Sequence, residues 1–395
     1  MLRTYLLCEA IYYLYSKHVT YKQLENTHYS ELKAVIPYVS SFDLYKYILS
    51  YFTNEHDMDA FFSEAFFDKK SITIKNIKAF LSYHIFNIDP TTNINMRLWQ
   101  NIYINSIIKV IKPRLSILNN DTNKKTNTNW KSSVVMTNKL DIVHKPYAFY
   151  ILMYFVRKVF NYYMYTLGFT NIIDPTTNLR LWIKYNNTVE NKTPLVFIHG
   201  VGLGIIPYIG KICRLSINRI LIVPELPNMS YDLYKFPPPS NESIVVSLYN
   251  TLVKLGIRLV DIIGHSHGSI MLNIFQIRYP HMCNYKTYAE PICFYNHLPR
   301  IANIAYKFPS TKMYNILDYM LWSFVFRDIS FQYSVKRGVF AEHGLLKNLD
   351  NKTHIILAKD DYVIPSFHIH KYITTHHPDV NITLLDGNHG IWLST

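Results

Sequence analysis

Leu259-Val260-Asp261-Ile262-Ile263-Gly264-His265-Ser266-His267-Gly268-Ser269 carries an apolar run straight into a Gly-x-Ser-x-Gly pentapeptide. The run reads as a buried strand of a parallel sheet, and the residues from Ser269 to Tyr279, closed by Pro280, read as a helix. A serine between such a strand and such a helix sits on a sharp, strained turn that lifts its hydroxyl clear of the sheet. The flanking glycines let strand and helix approach without a Cβ clash. Ser266 is therefore the candidate nucleophile.

The pentapeptide gains meaning from its neighbours in chain order. Upstream, Pro194 to Ile198 is a short apolar strand that runs into His199-Gly200-Val201-Gly202-Leu203-Gly204, a glycine-rich turn able to aim N–H groups at a developing oxyanion. Downstream, His354 to Ala358 is a buried strand that delivers Lys359-Asp360-Asp361-Tyr362-Val363-Ile364-Pro365. Val380 to Leu385 is a further strand, and it ends in Asp386-Gly387-Asn388-His389-Gly390. Nucleophile, acid and histidine thus follow one another along the chain.

At these residues the chain resembles the α/β-hydrolase superfamily, from about Leu179 to the last residue. The resemblance implies Ser266 as nucleophile, His389 as general base and Asp361 as acid, with Asp360 as the alternative. It implies the backbone N–H groups of Val201 and His267 as oxyanion donors. The chain is also similar to a eukaryotic subgroup with a long N-terminal extension and a signature seen here as Pro291-Ile292-Cys293-Phe294 and His297-Leu298-Pro299. Its richness in Asn, Ile, Lys and Tyr resembles the usage of an A+T-rich genome such as that of a large DNA virus.

The expected fold class is α/β: a mostly parallel sheet flanked by helices, with a helical cap and a helical N-terminal extension. Residues 1–118 read as helical, with apolar side chains recurring at three and four, as in Leu6, Ala10, Tyr13 and Leu14. Residues 119–139 read as a polar linker, 140–178 as an apolar, basic helix and connection, and 179–395 as the hydrolase domain. Residues 292–348 interrupt the strand–helix alternation as a cap, and their 12 aromatic residues suggest an apolar acyl pocket under a lid. A near-repeat, Ile88-Asp89-Pro90-Thr91-Thr92-Asn93 against Ile173-Asp174-Pro175-Thr176-Thr177-Asn178, reads as Asp-Pro turn chemistry.

A serine nucleophile implies an acyl-enzyme and so acyl transfer: an esterase, lipase or thioesterase acting on a small lipophilic ester or thioester. No cofactor is expected. No metal is expected either: His265 and His267 lie two apart on a sharp turn, with no third ligand at zinc spacing, and His368, His370, His376 and His377 do not share one helical face. The formal charge is +14, and ten Lys or Arg against Asp121 and Asp141 lie between Asn105 and Phe160. No base-stacking or groove-reading motif accompanies them, so nucleic acid is not an expected partner. A membrane surface met through residues 140–170 is.

Nothing near Met1 resembles a secretory signal, and four cysteines without a Cys-x-x-Cys pair favour a reducing, intracellular compartment. The rival expectations are a catalytically silent binding protein that kept the fold and a membrane-surface adaptor working through residues 1–160.

Overall fold

The computed structural model describes residues 2–25, 41–55, 57–66, 72–86, 88, 96–118, 140–186, 192–231, 237–295, 319, 321–345 and 349–395. The expected linker at 119–139, all but Ile88 of the first copy of the Asp-Pro near-repeat, His297-Leu298-Pro299 and the middle of the expected cap lie outside them.

Among the described residues eight strands form one sheet: β1 (Thr170–Ile173), β2 (Arg180–Lys184), β3 (Leu195–Ile198), β4 (Leu221–Glu225), β5 (Val260–His265), β6 (Cys283–Ala289), β7 (Thr353–Ala358) and β8 (Asn381–Leu385). The spatial order is β1-β2-β4-β3-β5-β6-β7-β8. β2 runs antiparallel to both its neighbours, and every pair from β4 onward is parallel. With helices on its faces, this is the α/β-hydrolase fold. Val196, Ile222, Ile262, Tyr288 and Ile355 are fully buried, because parallel strands covered on both sides have no face left for polar residues.

The sheet starts earlier than Leu179. Thr170-Asn171-Ile172-Ile173 pairs antiparallel with Arg180 to Ile183 across a turn that the side chain of Asp174 closes by accepting from the Thr177 N–H at 2.9 Å, while Asn178 takes φ 61°. Four half-exposed residues carry too little apolar signal to read as a strand, and their pairing depends on the hairpin.

The N-terminal region holds α1 (Leu2–Tyr15), α2 (Tyr21–Glu25), α3 (Ser41–Asn54), α4 (Met58–Ala65), α5 (Ile74–Phe86) and α6 (Leu98–Ile111), followed by α7 (Tyr147–Thr166). Within the sheet region lie α8 (Ile209–Leu215), α9 (Asn241–Lys254), α10 (Gly268–Arg278), α11 (Ile329–Gly338) and α12 (Ser366–His376). Phe52, Phe62, Phe80 and Ile107 of the N-terminal helices belong to the same continuous apolar core as Ile198, Ile262 and Leu272. Tyr47 stacks on Tyr295 with ring centroids 4.8 Å apart, and Glu55 pairs with His368 at 3.4 Å. The His368 ring also meets Tyr51 of α3, with ring centroids 5.5 Å apart.

Candidate active site

The elbow is set by backbone geometry. Ser266 takes φ 50°, the left-handed region that a residue with a Cβ seldom enters. A Cβ on Gly264 would stand 2.7 Å from the Gly268 carbonyl oxygen, and one on Gly268 would stand 2.3 Å from that of Ile198. Only glycine at both positions lets β5, β3 and α10 converge on the serine. The N-terminus of α10 faces the elbow, and its unsatisfied N–H groups favour negative charge there.

Three side chains from three strand ends meet at this point. Nε2 of His389, in the loop after β8, lies 2.9 Å from Ser266 Oγ. Its Nδ1 lies 2.8 Å from Asp361 Oδ2, in the loop after β7. The second oxygen of Asp361 accepts the N–H groups of Val363 at 2.7 Å and Ile364 at 3.0 Å. Asp361 is buried, whereas Asp360 is exposed and does not cap α12, whose N-cap position is Pro365. Of the two aspartates, Asp361 is the one in hydrogen-bond contact with His389.

Val201 and His267 each follow a residue in close contact. A Cβ on Gly200 would stand 2.9 Å from Ser266 Cβ and 2.8 Å from the Tyr208 hydroxyl, so the glycine turn lies against the elbow. The Gly200 N–H donates to that hydroxyl at 3.0 Å, which leaves Val201 as the next N–H in the turn. The His267 ring is fully buried, and neither of its nitrogens has a partner among the described residues. Burial pushes its pKa down to about 3, which keeps the imidazole neutral. His199 is buried too, with Nε2 accepting the Leu226 N–H at 3.0 Å, and burial lowers its pKa to about 4.

One carboxylate at the site escaped the sequence reading. Glu290, at the end of β6, is fully buried with φ 45°. Its oxygens accept from His265 Nε2 at 2.8 Å, the Gly390 N–H at 2.6 Å and the Trp392 N–H at 3.1 Å. The usable signal was position: a carboxylate where a parallel strand ends, beside two other strand ends that carry candidate groups. His265, Glu290 and His389 offer ligand atoms within 4.8 Å of one another. Yet the Glu290 oxygens are already bound by N–H donors, so a cation there would have to strip those bonds.

No protein-family model matches the chain. Among curated proteins, the human and Pongo abelii proteins named 1-acylglycerol-3-phosphate O-acyltransferase ABHD5 are 27% identical over 124 residues, which is 28% of this chain and 34% of theirs. The chain thus matches about a third of the length of those relatives. Similar solved structures include a putative lipase from Acinetobacter baumannii AYE (14% identity, 59% of this chain and 89% of that one, TM-score 0.45). A carboxylesterase from Nitrososphaera gargenis (17%, 57% and 93%, 0.41) and naproxen esterase from Bacillus subtilis (13%, 62% and 92%, 0.42) are others. Likeness at that level says nothing of activity.

Proposed function

We propose that the chain is a serine hydrolase that cleaves a small lipophilic ester or thioester through an acyl-enzyme. The observation that supports this is the continuous hydrogen-bonded line from Ser266 through His389 to Asp361. In this reading His389 Nε2 takes the Ser266 proton as Oγ attacks the acyl carbon, and the carbonyl oxygen becomes an oxyanion held by the N–H groups of Val201 and His267. The C–O or C–S bond then breaks, and the imidazolium returns its proton to the leaving alcohol or thiol. Water repeats the sequence, giving His389 a proton, attacking the acyl carbon and releasing Ser266. Asp361 fixes the tautomer and stabilises the imidazolium. The extension-bearing eukaryotic and viral subgroup is the proposed kinship.

The acceptor in the second step is water in a hydrolase and another hydroxyl in an acyltransferase, the activity named in the matching human protein. A fluorophosphonate probe tests the shared first step: labelling of the wild type that vanishes in Ser266→Ala supports it, and a folded wild type that stays unlabelled rules it out. Product analysis with a p-nitrophenyl ester and glycerol present separates the two acceptors.

A second reading, a chain working at a membrane surface, is favoured by α7, and an intracellular location is proposed with it from the cysteine pattern alone. Only Arg157 and Lys158 of its 20 residues are charged, yet Leu152, Phe155 and Val159 are 60%, 60% and 71% exposed. A helix facing water carries polar residues there. No described helix is long and apolar enough to cross a membrane, so the helix would lie in the interface. Co-sedimentation with phosphatidylcholine vesicles tests this, and a chain left wholly in the supernatant refutes it.

A further inference from the structure

Glu290 binds both sides of the site at once. Through His265 Nε2 it holds the residue before Ser266, and through the Gly390 and Trp392 N–H groups it holds the loop that carries His389. Trp392 is fixed from its other side, where Lys211 Nζ donates to its carbonyl at 3.1 Å and the His265 ring stacks on its indole at 5.7 Å. The Glu290 backbone is held as well, its N–H donating to the Ile356 carbonyl at 2.8 Å.

A shape-only tie would not need a charge. Burial acts to raise the Glu290 pKa, but the donors around it, His265 first, hold it below the usual carboxylate range, so the group is an anion. Burial lowers the pKa of His265, so that ring gives a hydrogen bond without cancelling the charge. The groups facing His389 are Ser266 and His265 at the end of β5, Asp361 and Tyr362 after β7, and Glu290 after β6. Of these only Asp361 and Glu290 bring negative charge, and Asp386, on the same loop, is paired with Lys359 at 2.6 Å.

We infer that Glu290 is a positioning residue for His389, setting its distance to Ser266 and supplying a second anion that stabilises the imidazolium formed when Ser266 gives up its proton. This rests on the hydrolase reading above.

The test is the rate of fluorophosphonate labelling against pH for the wild type and Glu290→Gln, with thermal unfolding followed in parallel. The amide keeps one oxygen as acceptor, turns an NH2 toward N–H groups that the other oxygen held, and removes the charge, so the plateau rate reads both changes and the acid limb reads the charge. The expected result is a plateau rate about tenfold lower and an acid limb moved about one unit to lower pH, since a base with less support for its cation holds a proton less tightly. A lower rate with the acid limb unmoved overturns the inference, because loss of shape alone gives that result; so does an unchanged profile. Should Glu290→Gln fail to fold, Glu290→Asp keeps the charge on a shorter arm: a lower plateau with the acid limb in place agrees with the inference, and a moved limb overturns it. An unlabelled, folded wild type removes the hydrolase reading itself, and this inference with it.

Discussion

Asp361 Oδ2 lies 2.8 Å from His389 Nδ1 while Oδ1 of the same carboxylate holds the Val363 and Ile364 N–H groups. The carboxylate thus has one oxygen committed to its own loop and the other to the imidazole, which fixes the direction from which it meets the ring. Asp361→Asn preserves the acceptor toward the loop but places an NH2 against Nδ1, so the ring must present Nδ1 as acceptor and Nε2–H to the serine. That is the wrong tautomer for a base, and ester hydrolysis is expected to fall by about 10⁴ with little loss of stability. Asp360→Asn, at an exposed position, stays within about twofold of the wild type. Steady-state hydrolysis of a p-nitrophenyl ester by both variants distinguishes the two aspartates.

Gly268→Ala carries a steric cost that Gly210→Ala does not. The new Cβ at 268 meets the Ile198 carbonyl oxygen at 2.3 Å, and at 210, within α8, it meets nothing within 4 Å. The first substitution forces β3 and α10 apart and is expected to destabilise by about 3 kcal/mol or more. The second removes the entropy penalty of a helical glycine and is expected to stabilise by up to about 1 kcal/mol. Guanidinium unfolding reads both, and a neutral Gly268→Ala refutes the packing argument for the elbow.

The sheet region was legible because its signals are local. Apolar runs mark β3, β5 and β7, and the pentapeptide marks the turn, so Ser266, Asp361 and His389 can be read from residues within a few positions of each. β1 and Glu290 were not legible for the opposite reason. Thr170-Asn171-Ile172-Ile173 is a strand only because Arg180 to Ile183 pairs with it. Glu290 matters through donors from residues 265, 390 and 392, a relation that only folding creates. The aromatic share of residues 292–348 suggested a cap, and nine of those 12 aromatic residues lie among the described residues, with Phe294, Tyr295 and Phe331 in the continuous apolar core rather than in one of their own.

Three buried histidines make the fold sensitive to acid. Burial lowers the pKa of His84 to about 4, of His199 to about 4 and of His267 to about 3. Between those values and about 6.5 the unfolded chain binds protons that the folded chain refuses, so stability rises with pH there and is lost as pH falls below about 6.5. Each group contributes a slope of up to about 1.4 kcal/mol per pH unit. His267→Leu removes one such proton and also an imidazole whose nitrogens have no partner among the described residues. Unfolding free energies between pH 4.5 and 7.5 are expected to show a shallower slope for this variant, with stability at pH 7 equal to or above the wild type. A slope identical to the wild type contradicts the assignment of a neutral, buried ring.

The charge on α7 and its approach predicts how a membrane would be met. Lys145 is buried against Asp328 at 3.4 Å, and Arg157 is committed to Glu225 at 3.1 Å, so two of the basic residues that pointed to an anionic surface are engaged inside the molecule. α1 lies alongside, with Tyr12 and Tyr147 ring centroids 5.3 Å apart, and its Leu7 and Ile11 are 62% and 58% exposed. Apolar burial, not charge, is then the main drive, and binding to phosphatidylcholine vesicles is expected to persist at 0.5 M salt, where a purely electrostatic contact is screened to about 4 Å. Leu152→Ser, Phe155→Ser and Val159→Ser each lose a side chain whose burial stabilises by about 1.5–3 kcal/mol, so each lowers the partition coefficient by about tenfold or more. Partitioning that collapses with salt but ignores these substitutions assigns the contact to exposed lysines instead and removes α7 as the docking element.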